Sequence, residues 1–146
     1  MDYLFHIGDG DHFKSSSTKS IWGIASSQTV SKSFISNVKQ GDRLWFVQSK
    51  TNGQIIAVAT FTEMKKRELG PLISLTLTNE ELGWDKTHGS WDVEVHYKDL
   101  YNLTECNLKS EIKGASVIRR YNDKCKVNLP EIYPHIVRFS KITKSM

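Results

Sequence analysis

Two continuous apolar runs lie close together in the middle of the chain: Leu44, Trp45, Phe46 and Val47, then Ile55, Ile56, Ala57, Val58 and Ala59. Residues 49–53 between them are polar and end on Gly53, so the pattern predicts two strands joined by a turn, a hairpin over residues 41–61. Neither run alternates with polar residues. A strand that is apolar on both faces needs cover on both, which points to a closed barrel or a covered sheet. The expected fold is α+β and mostly β: a small barrel of roughly five to seven strands, with two or three short helices on its surface. The hairpin at 41–61 is its centre, and Trp45, Phe46, Ile56 and Val58 belong to its core.

Short elements surround the hairpin. Residues 3–7 read as an apolar strand, followed by a Gly, Ser and Asp-rich loop before Ile21, Trp22, Gly23 and Ile24. Val30, Phe34, Ile35 and Val38 have helical spacing, which predicts a helix over 31–38 with Ser31 or Ser33 as cap and Lys39 near its end. Residues 62–71 read as a charged turn closed by Gly70 and Pro71, and 72–78 alternate as a half-buried strand does. Thr78 with Glu81 forms a capping-box pattern for one helical turn that Gly83 stops. In the strand that Trp91 heads, Trp91, Val93 and Val95 share one face, and Asp92, Glu94 and His96 the other. Further short elements are expected at 100–103, 108–112, 116–118 and 136–139, with Pro130 and Pro134 bounding a turn between Asn128 and His135.

Length admits one domain over residues 1–146, large enough to bury its own core. No apolar run approaches membrane-spanning length and Met1 is followed by Asp2, so the expectation is a soluble intracellular protein, cytoplasmic or nuclear. Cys106 and Cys125 lack metal-ligand spacing and read as free thiols in a reducing compartment. The net charge of +4 is uneven. Residues 105–146 carry nine Lys or Arg against four acids. A phosphate-binding face needs such a bias, because neutralised phosphates release counterions; a basic rim that serves solubility gives the same count.

Enzyme parts are missing: there is no phosphate loop, nucleophile elbow or His-Glu helical motif, so no catalytic residue and no cofactor is assigned. His6, Asp9, Asp11 and His12 look superficially like metal ligands, but they complete neither a calcium loop nor a zinc site, and no metal is expected. Tryptophan stands out. Of four, Trp45 sits inside an apolar run, leaving Trp22, Trp84 and Trp91 near loops or strand ends. They are either packing residues or the walls of a pocket for a flat ring.

Several stretches taken in order resemble the PUA-like superfamily, in particular its EVE and YTH branches. Trp22-Gly23, Lys39-Gln40-Gly41-Asp42 before an aromatic strand, the stretch 53–59, and Leu108 to Lys113 are similar to EVE motifs. Lys19-Ser20-Ile21-Trp22 is similar to the approach to the first cage tryptophan of YTH domains, and Trp84 followed by Gly89-Ser90-Trp91-Asp92-Val93 to the second. The first loop departs from both: of its residues Asp11, or else Asp9 or His12, is the one that can carry over.

The resemblance implies a PUA-like barrel that reads a modified, single-stranded or flipped base, methylated by preference, without chemistry on it. It implies a pocket walled by Trp22, Trp84 and Trp91, with Asp11 reading the base edge and Ser20 and Gly23 flanking the first tryptophan. Arg119, Arg120, Lys124 and Lys126 would hold phosphates, fixing position without reading sequence. The implied partner is nucleic acid, RNA ahead of DNA, bound by a monomer. The competing class is a protein-interaction or regulatory scaffold on the same barrel, its tryptophans packed inside.

Overall fold

The computed structural model describes residues 2–7, 17, 20–24, 29–48, 53–66, 93–104, 108, 118–120 and 128–138. These residues are mostly β, and the strands curl into a half-barrel with two short helices. The strands are β1 (Asp2–His6), β2 (Ile21–Ile24), β3 (Arg43–Gln48), β4 (Gln54–Lys66), β5 (Val93–Asn102) and β6 (Ile118–Arg120). The helices are α1 (Thr29–Asn37) and α2 (Leu129–Arg138). One sheet takes the strands in the order β2-β5-β4-β3-β1-β6. The predicted hairpin is therefore central, with Leu44 opposite Ala59 and Trp45 opposite Val58. The β1 strand runs parallel to β3 and antiparallel to β6, so the chain crosses over through β2 and α1 between two neighbouring strands.

Both faces of the hairpin are buried, as its unbroken apolar runs require. On the inner face Tyr3, Phe5, Phe46 and Phe61 gather around Phe34, which α1 inserts from above. Phe34 meets Tyr3 edge-on at 4.9 Å and Phe5 at 5.0 Å between ring centroids. On the outer face Leu4, Trp45, Val47, Ile55, Val58 and Leu103 pack under Leu129, Ile132 and Tyr133 of α2. Trp45 is fully buried, in agreement with its placement in an apolar run.

The turn between α1 and β3 shows why the Lys-Gln-Gly-Asp order matters. The Lys39 amide donates to Asp42 Oδ2 at 2.9 Å, and the Asp42 amide donates back to the Lys39 carbonyl at 3.0 Å. Gly41 has φ +96°, where a side chain would be strained even though a Cβ at this position would meet nothing within 4 Å. Its amide donates to the Phe61 carbonyl at 3.0 Å, and the Phe61 amide to the Asp42 carbonyl at 2.7 Å, which docks the turn onto β4.

Four expectations are corrected. Residues 62–66 continue β4 instead of opening a charged turn: Met64 packs against the inner core, while Glu63 and Lys65 pair in register with His96 and Glu94. Register shifts at Val58/Thr60 and Phe61/Glu63 let so long a strand coil. The first helix starts at Thr29, so both Ser31, which is buried, and Ser33 lie inside it and neither is its cap. The element expected at 100–103 is the end of β5, continuous through Asp99 with φ 52°. Residues 128–138 form a capped helix rather than a turn bounded by prolines. Asn128 Oδ1 accepts from the Glu131 amide at 3.2 Å, Pro130 falls in the first turn where its missing N–H is harmless, and Leu129, Ile132 and Tyr133 recur at helical spacing. Pro134 lies inside α2 and forgoes one bond, to the Pro130 carbonyl. The expected strand at 72–78, the capping box at Thr78 and Glu81, and Cys106 and Cys125 lie outside the described residues.

Candidate functional site

The site begins at the β2 edge of the sheet. Ile21, Trp22, Gly23 and Ile24 face His96, Val95, Glu94 and Val93 of β5. Alternation puts Trp22 and Ile24 with Val93 and Val95 on the inner, aromatic face, and Ile21 and Gly23 with Glu94 and His96 on the outer one. Ile21 and Ile24 are buried, whereas Trp22 packs against the inner cluster and stays half-buried. An indole at the rim of the half-barrel is thus the side chain of β2 that keeps open surface.

The approach to Trp22 is held by its backbone. Ser20 has φ 57°, a left-handed conformation that costs a non-glycine residue about 1 kcal/mol or more and persists where neighbours impose it. Here its amide donates to the Ser17 carbonyl at 3.1 Å, and its carbonyl accepts from the Tyr97 amide at 3.3 Å. Ser20 thus aims β2 rather than presenting a special side chain. Gly23 stands opposite Glu94, so its register is with the carboxylate face and not with the Trp22 face.

Along β5 the inner face continues to Tyr97, opposite Phe61 and buried. Its ring lies 5.4 Å from Phe46, tilted by 54°. Burial holds its hydroxyl well above the ordinary tyrosine range, since the phenolate would be stripped of water. The Tyr97 hydroxyl has no hydrogen-bond partner among the described residues.

The outer face of β5 carries a polar pair. His96 Nε2 and Glu94 Oε1 are hydrogen-bonded at 2.7 Å, with the His96 side chain 16% exposed and that of Glu94 0%. Lys65 and Glu63 flank this pair across β4 and form their own contact at 3.6 Å, well exposed and of small energetic weight. Sequence alternation already puts Glu94 and His96 on one face, but nothing in the sequence signals that Glu94 is fully buried. Sequence reasoning misses Tyr97 as a site residue, although it continues the Val93, Val95 alternation.

Other expected site residues are not brought to this corner by the described structure. Asp11, Trp84, Trp91, Lys124 and Lys126 lie outside the described residues. Arg119 and Arg120 belong to β6, opposite Leu4 and Tyr3 of β1, at the other edge of the sheet from β2. The α1 helix, which follows β2 in the chain, lies against β6. His6 is buried in β1, and among the described residues no group of three or more His, Cys, Asp or Glu side chains could hold a metal ion. No described helix is long and apolar enough to cross a membrane.

Comparison with models of protein families finds no match, and comparison with curated proteins finds none either.

Proposed function

We propose that this chain is a non-enzymatic nucleic-acid-binding module on a PUA-like barrel, which reads a modified, methylated base of a single strand or a flipped base. The observation that carries the reading is the half-buried Trp22 at the rim of an aromatic-lined half-barrel, with its strand fixed by the left-handed Ser20. An indole so placed keeps open surface against which a flat ligand could stack, and stacking a base on indole contributes roughly 1 to 3 kcal/mol. Trp84 and Trp91 would complete the walls and Asp11 would read an edge; Arg119, Arg120, Lys124 and Lys126 would hold phosphates. RNA is favoured over DNA, because sequence-specific RNA recognition targets unpaired bases.

The test is titration of intrinsic tryptophan fluorescence with single-stranded RNA carrying one methylated base, beside the unmodified strand. Trp22→Ala should weaken binding of the modified strand by roughly 1 to 3 kcal/mol and erase the preference over the unmodified one. A folded Trp22→Ala protein that binds both strands as the parent does would refute the reading.

A second reading, a protein-interaction scaffold, is favoured by one fact: Phe34 fills the inner face and Trp22 packs against that same cluster. A scaffold of this kind gives no oligonucleotide-dependent quenching at moderate salt.

A further inference from the structure

The inner aromatic cluster contains Phe at 5, 34, 46 and 61, and Phe at position 97 would fill the same volume. Tyr97 nevertheless places a hydroxyl there, buried and without a hydrogen-bond partner among the described residues. Leaving such a group unsatisfied is unfavourable, so its retention calls for a partner that the described side chains do not supply.

The register says from which side a partner can come. Trp22 faces Val95, and the Tyr97 amide donates to the Ser20 carbonyl, so Trp22 and Tyr97 are diagonal neighbours on one face of the β2–β5 pair. Diagonal neighbours stand roughly 7 to 8 Å apart. Val95, opposite Trp22, is fully buried, and Met64 faces it from β4, so apolar side chains close this face around the rim indole and the inner phenol.

We infer that Tyr97 is the hydrogen-bonding group at the inner end of the Trp22 site. A flat heteroaromatic ring that stacks on Trp22 and displaces the apolar packing over Val95, which is fully buried in the unbound chain, would meet the Tyr97 hydroxyl with a polar edge. The hydroxyl can donate to a ring nitrogen or carbonyl oxygen, or accept from an exocyclic N–H. This rests on the base-reading function proposed above and deepens it. Selectivity then comes from a buried polar group that only one form of the ring satisfies, which discriminates more sharply than apolar contact does.

The experiment uses the full chain and one RNA sequence in several single-stranded versions, each carrying one methylated base, with the unmodified strand as control. Parent, Tyr97→Phe and Trp22→Ala proteins are compared for affinity, and the free proteins for urea midpoint. Tyr97→Phe should bind the preferred strand about ten-fold more weakly, while its free form is as stable as the parent or more so. Equal affinity of Tyr97→Phe and parent, with Trp22→Ala still impaired, would overturn this assignment and leave the base-reading function standing. A lower urea midpoint for free Tyr97→Phe would also overturn it, since the hydroxyl would then be satisfied within the protein. A folded parent that binds none of the strands would remove both proposals together.

Discussion

The Trp45 indole donates its Nε1 hydrogen to Asp2 Oδ2 at 2.8 Å, joining the second residue of the chain to the middle of the central hairpin. Asp2 is buried, and its other oxygen accepts from Arg43 Nε at 3.2 Å. Arg43 in turn lies over the Tyr133 ring of α2 at 4.4 Å from the centroid. One carboxylate thus links β1 and β3 and orients the cation against which α2 packs. Trp45 spends its one polar atom here, which suits a core residue.

Removing that carboxylate should be costly. In Asp2→Ala the buried indole N–H has lost its acceptor and Arg43 its anion, so the fold should lose about 2 to 3 kcal/mol. Urea denaturation followed by circular dichroism would show this as a lower midpoint at unchanged slope. A midpoint within error of the parent would mean that the Asp2 bond contributes nothing net.

What the sequence reveals and what it hides divide along clear physical lines. The runs at 44–47 and 55–59 are legible because burial on both faces leaves an unbroken apolar string. The end of β4 is hidden because Glu63 and Lys65 look like loop residues, although they are the outer face of a strand whose inner position is Met64. The second helix is hidden by its prolines, which outweigh the Leu129, Ile132, Tyr133 spacing and the Asn128 cap. Of the site, Trp22 is legible by residue type and neighbours. The buried state of Glu94 and Tyr97 is not, because burial of a polar side chain in a mixed strand depends on which elements cover it.

Tyr97 should make the fold sensitive to alkali. Burial raises its folded value above the unfolded one of 10.0, so the stability tied to the neutral phenol is fully present below pH 10 and declines as pH rises beyond it. Over that window the slope should approach about 1.4 kcal/mol per pH unit from this one group. Urea midpoints measured between pH 9 and 11.5 on the parent and Tyr97→Phe should diverge above pH 10, with the variant falling less. Parallel curves would show that the phenol titrates freely in the fold.

Arg119 and Arg120 occupy successive positions of β6, opposite Leu4 and Tyr3, which belong to opposite faces of the sheet. If RNA binds along β6 as proposed, a phosphate backbone following one face meets one of the two positions. Single replacements by Ala should therefore act unequally: one should lower the slope of log affinity against log salt by about 1 and the other leave it nearly unchanged. Salt titrations of RNA affinity check this, and equal effects of the two replacements would contradict the one-face geometry.

The Glu94–His96 bond should show in a double-mutant cycle. Glu94 is fully covered and its neighbour His96 nearly so, and water screens the pair far less than it screens Lys65 and Glu63, whose side chains are 40% and 56% exposed. A hydrogen bond shielded from water contributes about 1 to 3 kcal/mol, whereas an exposed pair contributes about 0.2 to 1. Glu94→Gln, His96→Ala and the double variant, compared by urea denaturation at constant pH, should therefore give a coupling energy of about 1 to 3 kcal/mol. The same cycle on Glu63 and Lys65 should stay below about 1 kcal/mol. If the two couplings are equal, the short contact on β5 is not a strong bond in solution, and Glu94 is held in place by its cover rather than by His96.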